Sequence, residues 1–296
     1  MIKIAMCQIE ASEDPTSNLH AVAEWLTVAA NAGSQVAVFP EATMARFGVP
    51  LNQVAQSLDG PWARAVQALA DENNMVVVAG MFTPSEHGRV HNTVLVTGRG
   101  HHFGYKKIHL YDAFDFRESE TVCPGRQEAV FDVENVRLGV ATCYDVRFPY
   151  LFQRLAAMEA TTVLLPASWG AGEGKRDQWE LLVRARALDS GSWIVACDQA
   201  APTSIRRTAV PNVPGGIGYS LVADPFGNIR SQLGPDPGSL TVEIDPALAQ
   251  SSRSATGALA NRRLGTMEAM NCDTVPPASI AANSNASLHV HAARDG

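Results

Sequence analysis

Leu138-Gly139-Val140-Ala141-Thr142-Cys143-Tyr144-Asp145 is an apolar run of strand length that breaks on a cysteine and an aspartate, and Pro149 then opens a helical pattern through Leu151, Leu155 and Met158. A strand feeding directly into a helix is the building step of α/β folds, in which helices cover sheet faces. Similar Val- and Ile-rich runs flank it: Ile2 to Ile9, Gln35 to Phe39, Met75 to Phe82, Thr93 to Val96, Thr162 to Leu165, Trp193 to Cys197, Tyr219 to Val222 and Leu240 to Ile244. All have strand length. Between them Leu19, Val22, Ala23 and Leu26, and then Trp62, Ala65, Val66 and Leu69, recur at helical spacing. The alternation predicts a layered α/β protein.

The segment from Lys175 to Ser190 carries two apolar stripes, Trp179, Leu182 and Val183 on one side and Leu181, Ala185 and Leu188 on the other. A helix apolar on two sides wants two partners. One is expected to be the sheet and the other a second copy of the chain, giving a homodimer or higher homo-oligomer; burial within one subunit is the alternative. From about Ser251 the pattern fades, and after Pro276 small and polar residues dominate. One domain over residues 1–250 is therefore expected. Residues 251–296 form an extension expected to cross to a neighbouring subunit and then lose order.

The formal net charge is -7 over 296 residues, with no basic stripe, which argues against a nucleic-acid partner. No apolar run approaches the roughly 20 residues of a membrane span, and no leader-like pattern opens the sequence. The five cysteines, Cys7, Cys123, Cys143, Cys197 and Cys272, are widely spaced and odd in number. They suit neither a disulfide framework nor a zinc ribbon, so a reducing cytoplasm is expected. Cys7, Cys197 and Cys272 read as structural, while Cys123, close to Glu118 in sequence, is a candidate to lie near the same pocket. The acceptor pattern Asn285-Ala286-Ser287 means little without a leader.

Cys143 falls at the strand-to-helix junction where open α/β sheets place ligands. A helix N-terminus and a cationic neighbour there would lower its thiol pKa; an ordinary buried cysteine is the alternative. Glu41 follows the strand Gln35-Val36-Ala37-Val38-Phe39-Pro40 and is either a solvated loop residue or a desolvated base. Lys107 lies in Tyr105-Lys106-Lys107-Ile108-His109-Leu110, whose alternation sets Lys107 opposite Lys106. Alone it also fits a snorkelling surface lysine.

Taken together, these stretches are similar to the nitrilase superfamily of carbon-nitrogen hydrolases. The matching wording is Phe39-Pro40-Glu41, Tyr105 to Leu110, Phe116-Arg117-Glu118-Ser119 with Pro124-Gly125, Cys143-Tyr144-Asp145-Val146-Arg147-Phe148-Pro149, and Trp179 to Ala187, in that order over roughly residues 1–250. The resemblance implies an α-β-β-α sandwich that pairs through the helices after the nucleophile. It also implies a Glu41, Lys107, Cys143 triad, Glu118 as a second active-site glutamate, and no metal or organic cofactor.

Those residue types suit amide hydrolysis. Thiolate attack splits a hard step into two, and a carboxyl raised by burial can carry the protons. Lys107 and the backbone N–H of Tyr144 are expected to stabilise the oxyanion. The wording after Cys143 resembles the amidase branches similar to omega-amidase and deaminated glutathione amidase, which implies a small linear, carboxylate-bearing amide. N-carbamoyl and nitrile hydrolysis are the alternatives within the superfamily. Candidate substrate contacts are Phe47, Phe116, Arg117 and Trp169, with the loop Trp169 to Gly174 shaping the pocket; Arg117 is the candidate partner for a carboxylate.

Two rival readings remain open at this point. One is a Cys, His, Glu hydrolase using His109 or His91 as base. The other is a nucleotide-binding module built on Gly170 to Arg176, although that stretch lacks the phosphate-loop spacing.

Overall fold

The computed structural model describes residues 1–202 and 213–263. In chain order the first half runs β1 (Ile2–Gln8), α1 (Pro15–Asn31), β2 (Val36–Val38), α2 (Leu51–Val54), α3 (Pro61–Glu72), β3 (Val76–Pro84), β4 (Val90–Gly98) and β5 (His101–Lys106). A small hairpin, β6 (Asp112–Ala113) and β7 (Phe116–Arg117), leads to β8 (Ala129–Val133), β9 (Val136–Val140), α4 (Pro149–Ala157) and β10 (Thr162–Ala167). The chain continues with α5 (Lys175–Ser190), β11 (Trp193–Asp198), β12 (Leu221–Ala223), β13 (Ile229–Gln232), β14 (Gly238–Ile244) and α6 (Pro246–Thr256).

The strands make two six-stranded sheets, ordered β14-β1-β2-β3-β4-β5 and β13-β12-β11-β10-β9-β8. Side chains alternate across each sheet, so every central strand feeds two cores. Ile4, Met6, Val36, Val38, Val76 and Val78 from the first sheet meet Leu138, Val140, Leu164, Val195 and Val222 from the second in one inner core. Their neighbours Ala5, Cys7, Ala37, Val77 and Ala79 face outward onto Val22 and Leu26 of α1 and Trp62 and Val66 of α3. On the other outer side, Ala141, Val163, Leu165, Ile194 and Ala196 pack under Leu151, Phe152 and Leu155 of α4 and Trp179, Val183 and Ala187 of α5. The result is the expected four-layer α-β-β-α sandwich. Strands buried on both faces read as near-continuous apolar runs, which is why the core of this fold is visible in the sequence.

The differences lie at the edges. Met158 caps α4 and stays exposed instead of extending its apolar stripe. Tyr219, expected to begin a strand, has φ +54 and stands just before β12. The compact unit runs Met1–Asn261, past the boundary near residue 250. Residues 251–256 complete α6, whose Arg253 Nη2 donates to the Ala160 carbonyl and to Ser192 Oγ, and whose buried Ser252 donates to the Pro225 carbonyl. Of the two stripes on α5, Trp179 and Val183 are buried while Leu181 and Leu188 are 65% and 47% exposed. Cys272 and the Asn285-Ala286-Ser287 pattern lie outside the described residues.

Candidate active site

The ends of β2, β5, β9 and β10 deliver the site. Phe39 and Pro40 carry the chain past β2, held by Phe39 N–H on the Val78 carbonyl and by Gly80 N–H on the Pro40 carbonyl. A side chain at Gly80 would put a Cβ 2.3 Å from the Ala42 nitrogen, so glycine is what lets β3 approach this turn. Glu41 then points inward, completely buried. Beyond β5, Lys107 is 1% exposed while Lys106 faces solvent. The Gly125 N–H holds the Lys107 carbonyl at 2.7 Å, and a Cβ there would fall 2.1 Å from the Lys106 oxygen.

Cys143 opens a 3-10 turn, Cys143 to Arg147, with its own φ at +46. A left-handed conformation is uncommon for a non-glycine residue and stores strain. Asp145 braces the turn: Oδ2 accepts from Thr142 N–H and Tyr105 Oη, and Oδ1 from His109 N–H, at 2.7 to 3.1 Å. The sulfur lies 3.7 Å from the Ser168 carbonyl oxygen, just beyond β10, and within hydrogen-bonding reach of Glu41.

These groups converge. Lys107 Nζ stands 2.9 Å from Glu41 Oε1 and 2.9 Å from Glu118 Oε2. Asn92 Nδ2 bridges the same carboxylates, at 2.7 Å from Glu41 Oε1 and 2.8 Å from Glu118 Oε1. Ser168 N–H donates to Glu41 Oε2 at 2.9 Å, and Tyr111 N–H to Glu118 Oε2 at 2.7 Å. Burial raises the Glu41 carboxyl, opposed by Lys107 and reinforced by Glu118. Burial opposes the charge on Lys107, yet Glu118, Glu41 and Cys143 outweigh it and hold that ammonium well above the usual lysine range. The Cys143 thiol is pushed well up, by burial first and Glu41 second, with Lys107 pulling the other way. This reverses the expectation of a thiol lowered by a helix N-terminus, because α4 begins only at Pro149 and the sulfur has little water. The arrangement is a neutral thiol beside a carboxyl that can take its proton, under a fixed positive charge.

The cavity over the sulfur is lined by Tyr111, Cys143, Tyr144, Arg147, Ser168, Trp169, Gly170, Lys175 and Pro214. Of the expected substrate contacts only Trp169 is among them. Phe47, Phe116 and Arg117 line, together with Glu118, a second cleft of about 700 Å³. Arg117 is exposed on β7, across from Asp112, and Phe116 stacks on Tyr111 at 5.7 Å, so it supports a cavity wall from behind. The cations at the cavity are Arg147 and Lys175. Arg147 Nη2 donates to Gln178 Oε1 at 2.8 Å, with its guanidinium 5.2 Å from the Trp169 ring centre. Lys175 Nζ lies 3.1 Å from the centre of the Phe114 ring, and burial, then Arg147, lowers its pKa. Asn92 and the Ser168 backbone were also missed in the sequence. The available signal was Asn92 in the strand-like stretch Val90-His91-Asn92-Thr93-Val94-Leu95-Val96, since a buried amide must find partners.

The rival readings find no footing here. Both ring nitrogens of His109 are engaged, Nδ1 by Asp145 Oδ1 at 2.6 Å and Nε2 by the Tyr150 hydroxyl. His91 Nδ1 meets the Cys123 carbonyl, and both residues line another cleft with Arg89 and Arg126. The glycine-rich stretch from Gly170 forms a wall of the thiol cavity, and its lysine covers Phe114.

A carbon-nitrogen hydrolase profile matches residues 3–254. The chain belongs to the carbon-nitrogen hydrolase family. It is 47% identical over 267 residues to a hydrolase of Mycobacterium tuberculosis, covering 88% of this chain and 95% of that one. Against the deaminated glutathione amidase of Escherichia coli O157:H7 the identity is 31% over 251 residues, covering 83% and 91%. The crystal structure of Saccharomyces cerevisiae Nit3, a member of the nitrilase superfamily, superposes with a TM-score of 0.75 at 24% identity over 86% of this chain and 94% of that one. This carbon-nitrogen hydrolase is thus an enzyme on a nitrilase-superfamily fold. Among the described residues no helix is long and apolar enough to cross a membrane.

Proposed function

We propose that this hydrolase cleaves the amide of a small linear, carboxylate-bearing substrate through a thioester on Cys143, releasing ammonia or an amine. The observation that carries the substrate class is the pair Arg147 and Lys175 on the wall of the cavity that holds the thiol. Two cations in a small site with aromatic walls favour an anion, and guanidinium matches carboxylate geometry.

Glu41 takes the S–H proton as sulfur attacks the carbonyl carbon. The oxygen that becomes negative is stabilised by the Lys107 ammonium and the Tyr144 N–H. The C–N bond then breaks, Glu41 hands its proton to the nitrogen, and the amine leaves. Water attacks the thioester, giving its proton to Glu41 while its oxygen bonds to carbon. The C–S bond breaks, the acid departs, and the proton returns from Glu41 to sulfur. Glu118 and Asn92 keep Lys107 and Glu41 in place throughout. None of these steps uses a cofactor.

An N-carbamoyl acid or an anionic nitrile also fits a cationic pocket, and a screen of released ammonia separates the three. Succinamate is expected to react, N-carbamoyl-β-alanine and 3-cyanopropionate to react at least tenfold more slowly, and Cys143→Ala to release nothing. Ammonia from the nitrile alone sinks the amide reading. The exposed Leu181 and Leu188 on α5 support pairing with a second copy, tested by light scattering of Leu181→Glu, and the buried free thiols Cys7, Cys123, Cys143 and Cys197 suit a reducing cytoplasm.

A further inference from the structure

Asp198 ends β11 fully buried, and its carboxylate is held by main-chain N–H groups: Oδ1 accepts from Trp169 at 2.7 Å and Oδ2 from Ile217 at 2.9 Å. No cation pairs with it among the described residues. A buried carboxylate with no counter-charge is costly, and asparagine would fill the same volume. Burial pushes this carboxyl up to about 7 against the pull of the Ile217, Trp169 and Gln199 N–H groups. So expensive a group, outside the reaction already described, calls for a task.

The task lies one peptide away. The Trp169 N–H belongs to the same planar peptide as the Ser168 carbonyl, and in a trans peptide the two point in opposite directions. That carbonyl is the one facing the Cys143 sulfur at 3.7 Å, and the preceding N–H, of Ser168, donates to Glu41 Oε2 at 2.9 Å. We propose that Asp198 is a positioning residue for the hydrolysis: by gripping the Trp169 N–H it aims the Ser168 carbonyl at the thiol and the Ser168 N–H at Glu41, and so holds nucleophile and base in register. The inference rests on Cys143 being the nucleophile. The second oxygen ties in the segment that carries Pro214, which also lines the cavity, and the Gly216 N–H closes that link on the Trp169 carbonyl at 3.0 Å. An ionised acceptor strengthens these bonds as a neutral amide cannot.

The test compares Asp198→Asn and Asp198→Ser with the wild type and with Ser220→Ala, whose hydroxyl accepts from the Asp198 main-chain N–H and does not touch the carboxylate. Two rates are read: alkylation of Cys143 by iodoacetamide, located by peptide mass mapping, and kcat and KM for succinamate. Misplacing reacting groups by about 1 Å costs up to about a hundredfold, and a loss of about tenfold to hundredfold is the scale read here. Both Asp198 variants are expected to lose that much in alkylation rate and in kcat, with KM within about threefold. Ser220→Ala is expected to lose thermal stability and keep both rates. A folded Asp198→Asn with both rates within twofold of wild type overturns the proposal. Failure of both variants to fold also overturns it, assigning Asp198 a structural role. A fully active Cys143→Ala, run alongside, would instead remove the nucleophile on which the inference stands, while the alkylation rate still reports on Asp198.

Discussion

Asn92 Nδ2 donates at 2.7 Å to Glu41 Oε1, the oxygen that also faces Lys107 Nζ at 2.9 Å. One carboxylate oxygen therefore receives a neutral and a charged donor at once. Hydrogen bonds to charged groups contribute about 1.5 to 3 kcal/mol each, and Asn92 makes two, the second to Glu118 at 2.8 Å. Asn92→Ala is predicted to lower both the urea midpoint and kcat. Asn92→Asp is predicted to be worse on both, because it sets a third carboxylate beside a single ammonium. Equal stability of Asn92→Asp and wild type at pH 8 would contradict this role.

Lys107→Met leaves Glu41 and Glu118, 0% and 2% exposed at the side chain, facing each other with no cation. Breaking a buried ion pair typically costs about 3 to 5 kcal/mol, and losing an oxyanion donor lowers kcat about a hundredfold or more. The variant's deficit should shrink on acidification. With the lysine gone, Glu41, already raised by burial, rises further, so the native state holds its proton more tightly than the unfolded chain. Stability from such a group is present at low pH and lost as pH rises through the folded pKa. Urea midpoints of variant and wild type at pH 5 and pH 8 read this directly, and a gap that widens at pH 5 refutes it.

Asp198 supplies a second pH dependence of the same sign. Burial raises its pKa from 3.8 to about 7 in the folded chain, so native Asp198 holds a proton that the unfolded chain has released. Its contribution is complete below the unfolded pKa and disappears as pH rises from about 4 to about 7. Asp14, Asp112, Glu128, Asp132 and Glu180 are held low, so theirs is lost in the opposite direction, as pH falls through their folded values. Asp198→Asn isolates the first effect. Relative to wild type it should gain in urea midpoint between pH 5 and pH 8, and a constant difference across that range would exclude the titration.

Much of this is written in the sequence where both faces of a strand are buried. Val36 to Val38 and Trp193 to Cys197 are apolar throughout because each side chain meets a core. The strand Ile229–Gln232 is half-exposed and reads Ile-Arg-Ser-Gln, so no pattern betrays it. Glu41 is legible because it ends an apolar run with a residue such runs avoid, whereas Lys107 and Cys143, which alone also fit a surface lysine and a buried thiol, stand out only through the order of the motifs around them. The Ser168 N–H and carbonyl are not, since every residue but proline carries both groups. Arginine placement fails for a related reason. Arg117 and Arg147 each flank a motif, and only the hairpin register, which pairs Arg117 with Asp112, sends one to solvent while the 3-10 turn brings the other to the cavity.

Arg147 and Lys175 carry the last prediction, which concerns selectivity. Lys175 rests on the face of Phe114 at 3.1 Å and Arg147 stacks near Trp169 at 5.2 Å. Both are partly stripped of water, and desolvated cation-π contacts contribute about 2 kcal/mol. An incoming carboxylate offers a stronger, charge-assisted partner. Arg147→Gln and Lys175→Met should therefore each raise KM for succinamate about tenfold, equivalent to roughly 1.4 kcal/mol of binding. Neither should change kcat/KM for a neutral amide of similar length, such as butyramide, by more than about twofold, because the reacting groups Cys143, Glu41 and Lys107 are untouched. The ratio of the two kcat/KM values is the diagnostic measurement. If the neutral substrate loses as much as the anion in both variants, these cations shape the cavity without reading charge, and the anionic substrate class falls with them.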